Sequence, residues 1–171
     1  MTSGLLNIFQ QSDFWEKEDL FFCRPIDIEQ LGLSEENAEL FYSGIPTWAA
    51  PNMQFFPPTI EAEGLITFGE DRDDRKIILS VSSGGIFVIG RPEMIYVSSS
   101  LKDFLSQVID YAEMVDSALI LNGRNALIDN NIPDNCINEF MNKIVQTDSN
   151  AVSDGSFWSQ ELERLRSHSD R

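Results

Sequence analysis

The stretch "KIILSVSSGGIFVIG", Lys76–Gly90, runs directly into "RPEMIYVSSSLKDFL", Arg91–Leu105, and its reading decides the fold class. The first part places β-branched and aliphatic residues on both sides of Ser83-Gly84-Gly85, where glycine permits the positive φ of a tight hairpin turn. A third β-like run, "MIYVSS", ends in Ser98-Ser99-Ser100. Ser99 or Ser100 then caps a helix running from Leu101 to about Val115. In it Leu101, Phe104, Leu105, Val108, Ile109 and Ala112 recur at helical spacing, and that apolar stripe has to be laid on the sheet that precedes it.

Working outward, "GLITFGE" adds a strand upstream, so four antiparallel strands are predicted from about Gly64 to Val97. The charged link "EDRDDRK" reads as a solvated loop. Before it, "IPTWAAPNMQFFPP" is rich in proline and aromatics and is predicted extended or looped, with Trp48, Phe55 and Phe56 anchoring it to the core. "LSEENAELFYSG" predicts a short helix, capped by Ser34, with Glu35 and Glu36 in its first turn and Gly44 as its stop. A looser pattern, Leu6, Phe9 and Trp15, predicts a first helix from Ser3 to about Glu18. Further helices are expected at "DNCINEFMNKIV", after Pro133, and at "SFWSQELERL". The predicted class is α+β, an antiparallel β-meander with helices packed against it. One domain is expected over 1–166, with its core in about 20–165 and a polar tail at 167–171.

A chain of 171 residues with 42% hydrophobic residues can bury a sizeable core. Its 28 Asp and Glu outnumber 12 Lys and Arg, for a formal charge of -16. Such a field repels phosphate backbones and anionic lipid, so nucleic acid and membrane are disfavoured as direct partners and a basic protein is favoured. The same acidity also keeps a protein soluble, and charge alone does not separate the two uses. The uncharged stretch from Leu40 to Ile60 contains Pro46, Pro51, Pro57 and Pro58, which no membrane-spanning helix tolerates. Cys23 and Cys136 lie far apart without metal-binding spacing and are expected as reduced core residues. No basic leader precedes the first apolar run, so the expected location is the cytosol.

The search for chemistry yields little. His168 is the only histidine and stands in "RSHSDR", which disfavours a triad or a histidine-based metal centre. "DRDDRK" fails as a calcium loop, because Arg75 takes the fifth position and Lys76 the place of the glycine. "SSGGIFVIG" enters a strand where a phosphate-binding loop would enter a helix. Trp15, Trp48 and Trp158 read as core anchors. No cofactor, no metal and no enzymatic activity are therefore expected. The candidate partner-binding residues are the acids around the start of the sheet, Glu61, Glu63, Glu70, Asp71, Asp73 and Asp74. They are either a contact surface or a solvated loop tip.

Taken in order, these parts resemble the SUKH superfamily (the Smi1/Knr4 group), and most closely its SUKH-4 branch. The resemblance lies in the helix end Leu40-Phe41 before the turn Gly44-Ile45-Pro46, and in the "GGIFVIG" strand. It continues in the cap Ser98-Ser99-Ser100 opening a helix with Leu101, Phe104 and Leu105, and in the late "FWSQELERL". It spans about residues 20–165. It implies a bacterial immunity protein that binds and neutralises a cognate, cationic toxin, many such toxins acting on nucleic acid. An acidic inhibitor both steers toward such a toxin and covers it. The alternatives are a regulatory or scaffold module for an endogenous partner, and a small hydrolase working through carboxylates. Oligomeric state is not legible in the sequence.

Overall fold

In the computed structural model, which describes residues 8–9 and 12–167, strand order in the sheets follows chain order. Two short strands, β1 (Leu20–Phe21) and β2 (Ile45–Pro46), form a ladder of their own. The main sheet is antiparallel throughout: β3 (Trp48–Ala49), β4 (Met53–Ala62), β5 (Leu65–Glu70), β6 (Lys76–Ser80), β7 (Ile86–Ile89) and β8 (Met94–Ser98). The helices are α1 (Pro25–Ile28), α2 (Glu35–Ser43), α3 (Leu101–Asn122), α4 (Asp134–Thr147) and α5 (Phe157–Arg166). The class is α+β, as the sequence predicts.

The sheet is larger than predicted, because the proline-rich passage is itself a strand. Pairing of β4 with β5 runs through Phe55 and Gly69 and resumes at Thr59 and Thr67. Pro57 and Pro58 fall in that irregular interval, where no ladder N–H is needed. Gly69 is required by close approach: a Cβ there would lie 2.6 Å from the Gln54 carbonyl oxygen and 2.8 Å from the Phe55 ring.

The predicted caps at Ser34 and Ser100 form: Ser34 Oγ accepts from the Asn37 N–H at 3.2 Å and Ser100 Oγ from the Asp103 N–H at 3.0 Å, and Ser156 Oγ caps α5 in the same way, accepting from the Ser159 N–H at 3.3 Å. The choice between Ser99 and Ser100 thus falls to Ser100, while the Ser99 N–H donates to Asp148 Oδ2 at 2.9 Å. Helix α3 continues beyond Val115 through buried Ala118 and stops at Gly123, whose φ is 87° and whose N–H reaches the Leu119 carbonyl at 2.9 Å.

The core has two aromatic centres. Phe41 of α2, Phe55 of β4, Phe68 of β5 and Phe104 of α3 meet with ring centroids 5.8–6.1 Å apart, so the predicted stripe of α3 is on the sheet. Tyr111 of α3, Phe140 of α4 and Trp158 of α5 form the second, at 5.3–5.8 Å. Buried polar groups tie the helices down. Trp158 Nε1 donates to Gln107 Oε1 at 2.8 Å, and Tyr96 Oη donates to Asp148 Oδ2 at 2.7 Å. Cys23 and Cys136 are free and buried, as expected.

Three expectations change. The predicted first helix, Ser3 to about Glu18, falls partly on residues outside those described, and the described part of that stretch is turns leading to a 3₁₀ segment, Lys17–Asp19, with Phe9 and Trp15 packed edge to face at 5.2 Å. Its loose apolar spacing suits a hook over the core better than a helix face. Trp48 is no anchor: it is 56% exposed, because β3 is a two-residue edge strand in which Ala49 takes the inward position and Trp48 the outward one. The β5–β6 link is only partly solvated, since Asp71 is buried. His168 and the tail after Ser167 lie outside the described residues. Among the described residues no helix is long and apolar enough to cross a membrane.

Candidate partner-binding site

Strand register sorts one end of the sheet into two rows. Phe55, Gly69, Ile77, Val88 and Ile95 lie side by side and are buried. One residue along each strand, Trp48, Gln54, Glu70, Lys76, Ile89 and Met94 form the next row, which is exposed or half-buried across all six strands. Alternation along a strand sends successive side chains to opposite faces, so this solvated row is set by the same register that buries the other.

The loop between β5 and β6 leans over this end and is held by Asp71. Its Oδ1 accepts from the backbone N–H groups of Asp73 and Arg75, both at 3.0 Å, and its Oδ2 takes the Arg75 guanidinium at 2.8 and 2.7 Å. Asp71 is therefore a brace of the loop, its carboxylate turned inward and neutralised. Arg72 leaves the loop in the other direction and donates to Glu161 Oε2 at 2.7 Å. Glu161 is buried on α5 and also receives Tyr111 Oη at 2.6 Å and the Arg164 guanidinium. Burial and the neighbouring Glu161 hold the Tyr111 hydroxyl well above its ordinary pKa.

The six sequence candidates thus divide. Glu61 is paired with Lys76 at 2.7 Å, and Asp73 lies 3.6 Å from Arg75. Both line a groove of about 700 Å³ beside Arg75, Lys76, Arg91 and Glu93, where acids and bases alternate and largely cancel, and Asp74 borders this groove as well as the next. Glu63 stands exposed at the β4–β5 turn, away from the grooves. Glu70 and Asp74 form no ion pair among the described residues and line a second groove of about 500 Å³ with Trp48, Gln54 and Leu127. Asp74 holds the left-handed conformation, φ 56°, that lifts it at the turn. This second groove is the smaller of the two, yet it keeps unneutralised carboxylates, so it is the better candidate for a cation. Its aromatic wall was missed in the sequence because edge-strand placement, on which exposure of Trp48 depends, is set by the neighbouring chain.

A third recess, between α3 and α4, holds Asp110, Glu113, Asp116 and Glu139, with Lys143 bonded to Glu113 at 2.7 Å. Burial raises the Asp110 carboxyl above its ordinary 3.8, reinforced by Glu113 and opposed by Lys143. Among the described residues no group of His, Cys, Asp and Glu is arranged to hold a metal ion. No family model, curated protein or solved structure matches this chain.

Proposed function

We propose that the protein is a binding module that captures a cationic protein through the end of the sheet bearing Trp48, Glu70 and Asp74, as an immunity protein captures its toxin. The observation that carries this reading is the selective neutralisation around the β5–β6 loop. Asp71, Glu61 and Glu161 each hold a cation of the chain itself, and Glu70 and Asp74 beside an exposed indole do not. Unpaired carboxylates on a rigid rim attract a basic surface from a distance, and the chain's charge of -16 extends that attraction over the whole molecule. The resemblance to SUKH immunity proteins supports a bacterial toxin as the partner class. On this reading the protein works by occupancy in the cytosol, without cofactor, metal or turnover.

Co-expression with a toxin encoded beside its gene should restore growth and give a co-purifying complex. In that complex the triple variant Glu70→Gln, Asp73→Asn, Asp74→Asn should slow association and flatten its salt dependence, with thermal stability nearly unchanged. The control Glu35→Gln, Glu36→Gln, Glu39→Gln makes the same charge change on α2. Equal slowing by both would leave only the overall field and remove this face from the interface. Absence of rescue and of a complex would count against the immunity reading itself.

A further inference from the structure

We infer that the groove beside Trp48 is a slot for an arginine side chain of the cationic partner. This rests on the binding-module reading above and adds the residue type that the module grips. Trp48, Gln54 and Glu70 are consecutive members of one cross-strand row, on β3, β4 and β5. Directly opposite residues on neighbouring strands stand about 5 Å apart at Cβ, so the row presents an aromatic face, then an amide, then a carboxylate at even steps. Asp74 supplies a second carboxylate from the loop, and Leu127 lines the same groove.

That sequence of groups fits guanidinium better than ammonium. A guanidinium is flat, weakly hydrated and carries N–H donors in a fixed fork. It stacks on an indole while its edge meets the Gln54 amide oxygen and the two carboxylates. An ammonium is a compact, strongly hydrated point charge and gains less from the indole. The aliphatic stem of the incoming side chain has Leu127 to lie against. Arg72 also borders the groove, but its guanidinium is bound to Glu161 at 2.7 Å and is not paired with Glu70 or Asp74. Since β3 is the outermost strand of the sheet, the slot opens at its rim.

The test needs no partner protein. Nitrogen-15-labelled protein is titrated with N-acetyl-arginine amide and, separately, with N-acetyl-lysine amide, which carries the same charge. Backbone amide shifts of Gln54 and Glu70 and the Trp48 indole shift are followed. The arginine compound should give saturable shifts confined to these groups, with an affinity about two- to fivefold above the lysine compound, as an exposed cation–π contact supplies. Trp48→Ala and Glu70→Gln should each weaken the amide shifts of the remaining groups, and Glu35→Gln should not. Equal affinities for the two compounds, or unchanged shifts in both Trp48→Ala and Glu70→Gln, would overturn the slot. Such a failure leaves growth rescue and complex formation untouched, whereas loss of those with a working titration strikes at the immunity reading and not at the slot.

Discussion

Asp71 and Asp74 are three residues apart in one acidic run and have opposite parts to play. Asp71 closes the loop on itself with four donor contacts from Asp73 and Arg75, at 2.7–3.0 Å. Its replacement by Ala leaves two backbone N–H groups and a half-buried guanidinium without their acceptor, so a loss of about 1.5–3 kcal/mol in urea denaturation is expected. Asp74→Asn, at an exposed position whose conformation asparagine also accepts, should change stability by less than about 0.5 kcal/mol. Similar losses from the two variants would refute the division of labour. Asp110 supplies a pH signature. Its folded pKa is raised above the ordinary 3.8, chiefly by burial. Below 3.8 both states hold the proton and the residue contributes nothing to the pH dependence. As pH rises through the window above 3.8, the unfolded chain loses the proton first, so stability falls and the penalty persists at neutral pH. Asp110→Asn should therefore gain stability over the parent at pH 7 relative to pH 4, and a gain that shrinks with rising pH would show that Lys143 outweighs burial.

At the scale of elements, α3 is the girder of the molecule. Its stripe carries Phe104 into the ring cluster with Phe55 and Phe68, and one face further on it carries Gln107 and Tyr111 to α5. Phe104→Ala should cost about 3–5 kcal/mol by chemical denaturation, because the ring touches residues from two strands and cannot be replaced by collapse of one neighbour. A loss under about 1 kcal/mol would take Phe104 out of the core. The start of the helix was legible because cap and stripe are local signals, Ser100 and Leu101 to Val108, whereas its end, predicted near Val115, lies at Gly123. Strand β4 was not legible, since two prolines argue against a strand unless a register break receives them, and that break is a property of the pairing with β5. The segment before Lys17 failed for a related reason. Phe9 and Trp15 are buried by what packs over them, and burial of that kind has no period.

At the scale of the whole molecule, the antiparallel meander and its helical layer could be read from turn residues and caps, and so could the strongly acidic surface. The candidate site was legible only as a region. The run from Glu61 to Asp74 contains the two groove carboxylates without an ion pair among the described residues, but nothing in the run separates them from Asp71, whose partner is four residues away, or from Glu61, paired with Lys76 fifteen residues on. Trp48 entered the site only through the register of an edge strand.

The order of the sheet has a consequence for how the chain is made. Because β3 to β8 pair in the order they are synthesised, each strand leaving the ribosome finds its neighbour already in place, without waiting for distant sequence. Helix α5 breaks that pattern: Trp158 and Glu161 return to Gln107, Tyr111 and Arg72, the last 89 residues earlier. A nascent chain stalled before Phe157 would therefore carry a paired sheet whose loop residue Arg72 and whose girder groups Gln107 and Tyr111 still await their partners. Until α5 arrives, those half-finished contacts leave the helical layer open to quality-control proteases.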